Sequence, residues 1–402
     1  MLVEKPVSFE SHGATLRGYL IAKADGQHKC PGVVMAHGTS ATVQMVAIEY
    51  ARVFARAGLA VIIYDHRGFG RSGGEPRLEI NPWVQCRGYL DALSFAASLP
   101  EVDANRIALW GDSYTGGQVV VVAACDSRPK AIVAQCPVFG ATVPELQPSN
   151  ERLEAIRTTL LTGDVSGTPE STTGQLPVVS ADQVGTPSLL APIQAFRWFI
   201  DYGGRPGSGW VNRVTRVLPP TPVPYNPFLC TPYVKAKTLF MVAPQDEMIH
   251  ANYQVARRAF NLIPAHKEWH DIANGRFGLI YYPGAQFDEV SAMQAAFLCT
   301  QLDARLRIAQ AVGYHMGLGV KYAASPWSAN CLGPAGPSQR QKVSRERLPR
   351  RGAAMPQARC DNRIVTPPDA KLETSATTCC HAGEPVTAAR CSGLSNQASN
   401  RR

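Results

Sequence analysis

The chain has 402 residues, 45% of them hydrophobic and 18% charged. At roughly 150 residues per domain this allows two or three domains, or one large α/β domain with additions. Such a composition excludes a collagen-like, wholly disordered or small disulfide-framework protein. The formal net charge of +9 is unevenly spread: residues 1–304 hold 25 Lys and Arg against 26 Asp and Glu, and residues 305–402 hold 15 against 5. The body is therefore nearly neutral and the basic character sits in the last quarter. That quarter lacks interleaved aromatics, so no nucleic-acid partner is expected.

Eleven cysteines are present, but none forms a Cys-x-x-Cys pair and no metal-ligand spacing occurs. No metal and no cofactor are expected. The first residues, Met1-Leu2-Val3-Glu4-Lys5-Pro6, lack the apolar stretch of a secretion signal. The longest apolar run, around residues 119–125, is far short of a membrane span. The expectation is a cytoplasmic protein with reduced thiols.

In chain order, residues 3–22 alternate and turn at Gly13, the pattern of a hairpin. Residues 33–36 form a short apolar strand ending at His37-Gly38. Residues 43–57 carry helical spacing and stop at Gly58. A second buried strand covers 60–64 and ends in Asp65. Residues 83–99 read as a helix, 106–110 as a strand, 116–125 as a helix and 130–136 as a strand. Residues 140–232 break this rhythm with 13 prolines and clustered aromatics, and they read as a lid or cap over a pocket. The rhythm then resumes: a strand at 238–243, a helix at 251–263, a strand at 267–272 and a closing helix at 291–306. From residue 328 onward there is no Phe, Trp or Tyr, so 307–402 is expected to be a disordered tail. The domain plan is thus a first core half at 1–139, a lid at 140–232 and a second core half at 233–306, followed by the tail.

Strands alternating with helices imply an α/β fold, a mostly parallel sheet covered on both faces. Chemistry in such sheets gathers at the carboxyl ends of the strands. His37, Asp65 and Ser113 all fall there. The segment Trp110-Gly111-Asp112-Ser113-Tyr114-Thr115-Gly116-Gly117 joins a strand to a helix through a tight turn, the setting that lifts a nucleophilic serine above a sheet. Thr115 stands where such motifs commonly have a second glycine. An oxyanion formed on attack by Ser113 needs N–H donors. The Tyr114 amide, at a helix start, and the Thr39 amide, in the loop after the first core strand, are the candidates. His37 precedes the serine and reads as a loop former. The run 65–74, Asp-His-Arg-Gly-Phe-Gly-Arg-Ser-Gly-Gly, reads as structural.

On this architecture an acid and then a histidine follow the serine. Asp246 lies in the loop after the next-to-last strand, with Glu247 as the fallback. Histidines after it are His250, His266, His270, His315 and His381, yet the loop after the last strand, Ala273-Asn274-Gly275-Arg276-Phe277-Gly278, contains none.

Together, residues 65–74, 111–117, 194–204 and 269–283 resemble the α/β-hydrolase superfamily. The match is to its dienelactone-hydrolase and Xaa-Pro-dipeptidyl-peptidase-like branch, which includes fungal polyketide transferase-like and thioesterase-like enzymes. The resemblance covers residues 3–305 and implies the α/β-hydrolase fold and a small-molecule acyl substrate. It also implies a serine acyl hydrolase or acyl transferase of secondary metabolism, with Ser113 as nucleophile and Asp246 as acid. The family's histidine falls on Arg276. A guanidinium stays protonated and cannot take a proton from serine. Three readings stay open. His270 could supply the imidazole, six residues and up to about 20 Å of extended chain away. The chain could be a degenerate, non-catalytic binding protein with Arg276 as a fixed cation. Or Arg276 is a one-base variant of an active parent.

Overall fold

The computed structural model describes residues 1–24, 29–167 and 172–304. The tail expected over 307–402 lies outside the described residues. Two antiparallel strands open the chain, β1 (Leu2–Ser11) and β2 (Ala14–Lys23), joined at Gly13 with φ +70°. Then come β3 (Cys30–Ala36), α1 (Ala47–Ala57), β4 (Ala60–Tyr64), the two-residue β5 (Glu79–Ile80) and α2 (Pro82–Ser98). They lead to β6 (Val102–Asp112), α3 (Tyr114–Cys125) and β7 (Pro129–Gln135). After a long excursion the alternation returns with β10 (Lys237–Val242), α6 (Tyr253–Leu262), β11 (Lys267–Asp271) and α7 (Ala285–Gln301).

The main sheet has eight strands in the order β1-β2-β4-β3-β6-β7-β10-β11. β2 pairs antiparallel with β1 and β4, and every later pairing is parallel. Central strands such as Val33-Val34-Met35-Ala36 and Val61-Ile62-Ile63 are fully buried because helices cover both faces. Val34, Ile62, Leu109 and Ile132 pack into one core, and Val33, Ile63, Trp110 and Val133 into the other. The alternation of side chains along each strand makes that division. Asn81 caps α2 by accepting from the Trp83 and Val84 amides, with Pro82 in the first turn.

The stretch 140–232 holds α4 (Asn150–Leu161), β8 (Thr172–Leu176), α5 (Ile193–Gly203), β9 (Val214–Val217) and a 3₁₀ segment, Pro227–Tyr233. Its prolines argue against strands, yet β8 and β9 join β5 in a second, three-stranded sheet. Both strands are short and proline-free, which is what pairing requires. α7 begins at Ala285 rather than at 291, directly after Pro283-Gly284, which ends the preceding loop. α3 begins at Tyr114 rather than at 116, so Ser113 is the residue on which strand turns into helix.

Candidate active site

Ser113 has φ 59° and ψ −114°, a conformation costly for a residue with a side chain. Its surroundings enforce that conformation. The Ser113 amide donates to Gln135 O at 2.8 Å, and its carbonyl accepts from the Val138 amide at 3.1 Å. Gly111 permits the turn: a Cβ there would stand 2.2 Å from the Thr115 carbonyl oxygen. Thr115, the residue that departs from the commoner motif, acts as a strap. Its hydroxyl accepts the Asp112 amide at 2.9 Å and lies 2.9 and 3.1 Å from the Asp112 and Ala36 carbonyl oxygens, to which it donates.

The loop after β3 lies against this turn. A Cβ on Gly38 would come within 2.9 Å of Ser113 Cβ and 3.2 Å of the Tyr114 amide nitrogen. Thr39, next in the chain, has φ 51° and lines the same cavity as Ser113. The two amides named as oxyanion donors therefore belong to segments in contact.

Asp246 follows β10, and its side chain is 4% exposed. Its partner is Arg276, at the start of the 3₁₀ segment Arg276–Ile280. Arg276 Nε donates to Asp246 at 2.7 and 2.9 Å, and Nη2 donates to Asp246 Oδ2 at 2.8 Å. Nη2 also donates to the Cys136 carbonyl at 3.0 Å, and Nη1 reaches Ser113 Oγ at 2.5 Å. One guanidinium thus bridges the acid and the serine. It is 5% exposed. Burial opposes its charge, but the Asp246 carboxylate more than offsets this and holds its pKa above the usual arginine range. Glu247, the fallback acid, accepts the Arg276 backbone amide at 2.9 Å instead. Gly275, at φ +50°, allows that contact, since a Cβ there would meet Glu247 Oε1 at 2.3 Å.

The structure does not bring His270 to this group. His270 lies on the edge strand β11, half-buried, with Nε2 3.8 Å from Glu268. Its neighbour Trp269 packs on Phe240 and Phe260, and strand alternation sends His270 to the other face. The residue that meets Ser113 is Arg276.

Two buried groups flank the site. His37 is 3% exposed, with Nδ1 accepting the Gly38 amide at 2.9 Å and lying 3.4 Å from Asp112 Oδ2. Burial lowers its pKa to about 3, so the ring is neutral. Burial raises the Asp112 carboxyl to about 6, against the opposing pull of the Arg276 charge and the Gln135 amide. The signs oppose each other. His37 contributes stability that is present above pH 6.5 and lost on acidification toward 3. Asp112 contributes stability that is present below 3.8 and lost as pH rises through 6. Asp112→Asn removes only the second effect. Its Tm is expected to fall more steeply than the wild type's between pH 6 and 4, as read by a thermal melt at each pH.

The cavity at Ser113 is otherwise apolar, lined by Leu190, Trp198, Phe199, Met248, Phe277 and Ile280. Leu190 and Met248 carry no sequence signal for this role. Among the described residues no cluster of three or more His, Cys, Asp or Glu side chains could hold a metal. No helix among them is long and apolar enough to cross a membrane.

A mostly parallel sheet covered by helices, with a strained serine at the end of β6 and a carboxylate after β10, defines a hydrolase architecture. Residues 27–167 match the Hydrolase_4 family, described as serine aminopeptidase S33. A thiohydrolase of Eupenicillium brefeldianum is 29% identical over 290 residues, 71% of this chain and 90% of that protein. The quorum-quenching protein AidA of Acinetobacter baumannii is 30% identical over 298 residues, 73% of this chain and 93% of that protein. The crystal structure of the α/β hydrolase GrgF from Penicillium superposes with a TM-score of 0.57 at 22% identity, covering 75% of this chain and 99% of that one. The chain belongs to the α/β-hydrolase superfamily. Its kinship with the thiohydrolase supports an acyl hydrolase or acyl transferase class.

Proposed function

We propose that the chain transfers acyl groups from thioesters or similarly activated donors through Ser113, slowly, because Arg276 stands where a proton acceptor is needed. Ser113 Oγ attacks the acyl carbon and the Tyr114 and Thr39 amides hold the oxyanion. The carbon–sulfur bond breaks, the thiolate departs unprotonated, and the Oγ proton passes to solvent water. Water or an alcohol then takes the acyl group from Ser113. The observation that carries this reading is the strained serine facing an apolar cavity, with Arg276 Nη1 at 2.5 Å.

Arg276 also narrows the donor class. It cannot relay a proton, so the leaving group must depart without one. A thiolate, whose thiol has a pKa near 8.5, does so far more readily than an alkoxide or an amine. Amide cleavage is therefore not proposed. Losing one triad member still leaves about 10³–10⁴-fold catalysis over water through the oxyanion site and binding. The other reading, a carboxylate-binding protein built on Arg276, is disfavoured by the same geometry. Asp246 already balances the charge, and four of the five N–H donors are taken.

A fluorophosphonate probe tests the proposal. Slow labelling of Ser113, located by peptide mapping, is expected in the wild type and in His270→Ala, and none in Ser113→Ala. A thioester is expected to be consumed faster than the matching amide. Label that survives Ser113→Ala, or equal cleavage of amide and thioester, would overturn it.

A further inference from the structure

We infer that the pocket behind Ser113 admits acyl groups of two or three carbons and rejects aromatic and medium-chain ones, an inference that rests on Ser113 being the acyl acceptor. The cavity measures about 30 Å³. A water needs roughly 10–15 Å³ on that scale, and a cavity that takes benzene measures about 150 Å³. The pocket thus has room for two or three methyl-sized groups and a fifth of the space an aromatic ring needs.

Whether such a pocket can widen depends on its walls. Trp198 is 1% exposed, and its Nε1 donates to the Ile280 carbonyl at 2.7 Å. Turning the indole away would leave both groups buried and unpaired. Phe199 meets the Trp198 ring edge-on at 4.8 Å and is backed by Trp210 at 5.3 Å. Helix α5, which carries both rings, is fastened on two sides. Tyr202 Oη accepts the Tyr282 amide at 2.7 Å and donates to the Tyr282 carbonyl at 3.1 Å. Just beyond α5, the Ser208 carbonyl accepts from Thr42 Oγ1 at 2.6 Å, and Trp210 Nε1 donates to Ser40 Oγ at 3.4 Å. These contacts tie the pocket wall to the segment after Arg276 and to the loop that carries Thr39. Widening the cavity therefore breaks hydrogen bonds on both sides of the site.

The test measures acylation of Ser113 in the full chain by intact mass, with p-nitrophenyl acetate, propionate, hexanoate and benzoate. Acetate and propionate are expected to react at least about tenfold faster than hexanoate and benzoate, since one surplus methylene in an apolar pocket changes reactivity by about 10–200-fold. Phe199→Ala removes a wall and is expected to close most of that gap. Leu190→Ala, at a half-buried wall position, does the same if the first variant fails to fold. Hexanoate or benzoate reacting as fast as acetate in the wild type would overturn the pocket inference alone. A chain whose Ser113 no ester acylates would overturn the reading of Ser113, and the inference with it.

Discussion

Arg276→His is expected to raise the rate of Ser113 acylation by about 10²-fold. The guanidinium presents Nε to Asp246 and Nη1 to Ser113 Oγ. An imidazole makes the same two-sided contact through Nδ1 and Nε2, with the carboxylate fixing the tautomer. A positioned base contributes about 10²–10⁴-fold. The lower end is expected here because the imidazole Nε2 lies two atoms less far from Cβ than the guanidinium Nη1. A displacement of about 1 Å can cost 10²-fold. The pH profile separates this gain from a mere change in packing. A base must be neutral to accept a proton, so the variant's rate should climb as pH rises through the imidazole pKa, near 6.5 in reference peptides. Arg276 stays charged across that range, so the wild-type rate should not climb with it. Stopped acylation assays from pH 5 to 8 decide the matter. A folded Arg276→His chain with no gain would show that the loop 274–278 holds position 276 too far from Ser113 for an imidazole to serve.

The sequence carries the frame of this site because strand ends are punctuated by distinctive residues. His37, Asp65 and Ser113 close three buried apolar runs, and Asp246 follows a fourth. Parallel packing brings all four to one edge of the sheet. The position of Arg276 is equally legible, since it falls in the loop after the last strand. Its engagement is not legible. Only the packed chain brings β10, β6 and the 276–280 segment close enough for one side chain to bridge Asp246 and Ser113. His270 misleads for a related reason. Its place after Asp246 in the chain is suitable, but the two-residue period of β11 pairs it with Glu268 and gives the other face to Trp269. The small second sheet escapes a reading based on proline content, because β8 and β9 occupy short gaps between the prolines. Thr115 looks like a flaw in the motif, and its hydroxyl instead secures the turn that exposes Ser113.

Arg276→Met is expected to cost about 3–5 kcal/mol of stability, the usual consequence of stranding one partner of a buried ion pair. The side chains of Arg276 and Asp246 are 5% and 4% exposed. Without the guanidinium, Asp246 keeps the Met248 amide at 2.9 Å but loses the one cation paired with it among the described residues. For a folded body near 300 residues the loss corresponds to a Tm lower by about 5–8 °C at neutral pH. Its pH dependence follows from the sign of the change. Burial already raises the Asp112 carboxyl to about 6, and the Arg276 charge is what most opposes that push. Without that charge the Asp112 carboxyl is held higher still, so stability is recovered as pH falls and the gap to the wild type should narrow on acidification. The double variant Asp246→Asn/Arg276→Met isolates the charge. An amide needs no counterion, so the double variant should be more stable than Arg276→Met alone, with a coupling energy of the kind contacting pairs show, about 0.5–3 kcal/mol. If the double variant melts at or below the single one at every pH, the deficit comes from the space left by the guanidinium and from the unpaired Cys136 carbonyl. The ion pair would then be a passenger of the packing around Ser113 and not what holds Asp246 in place.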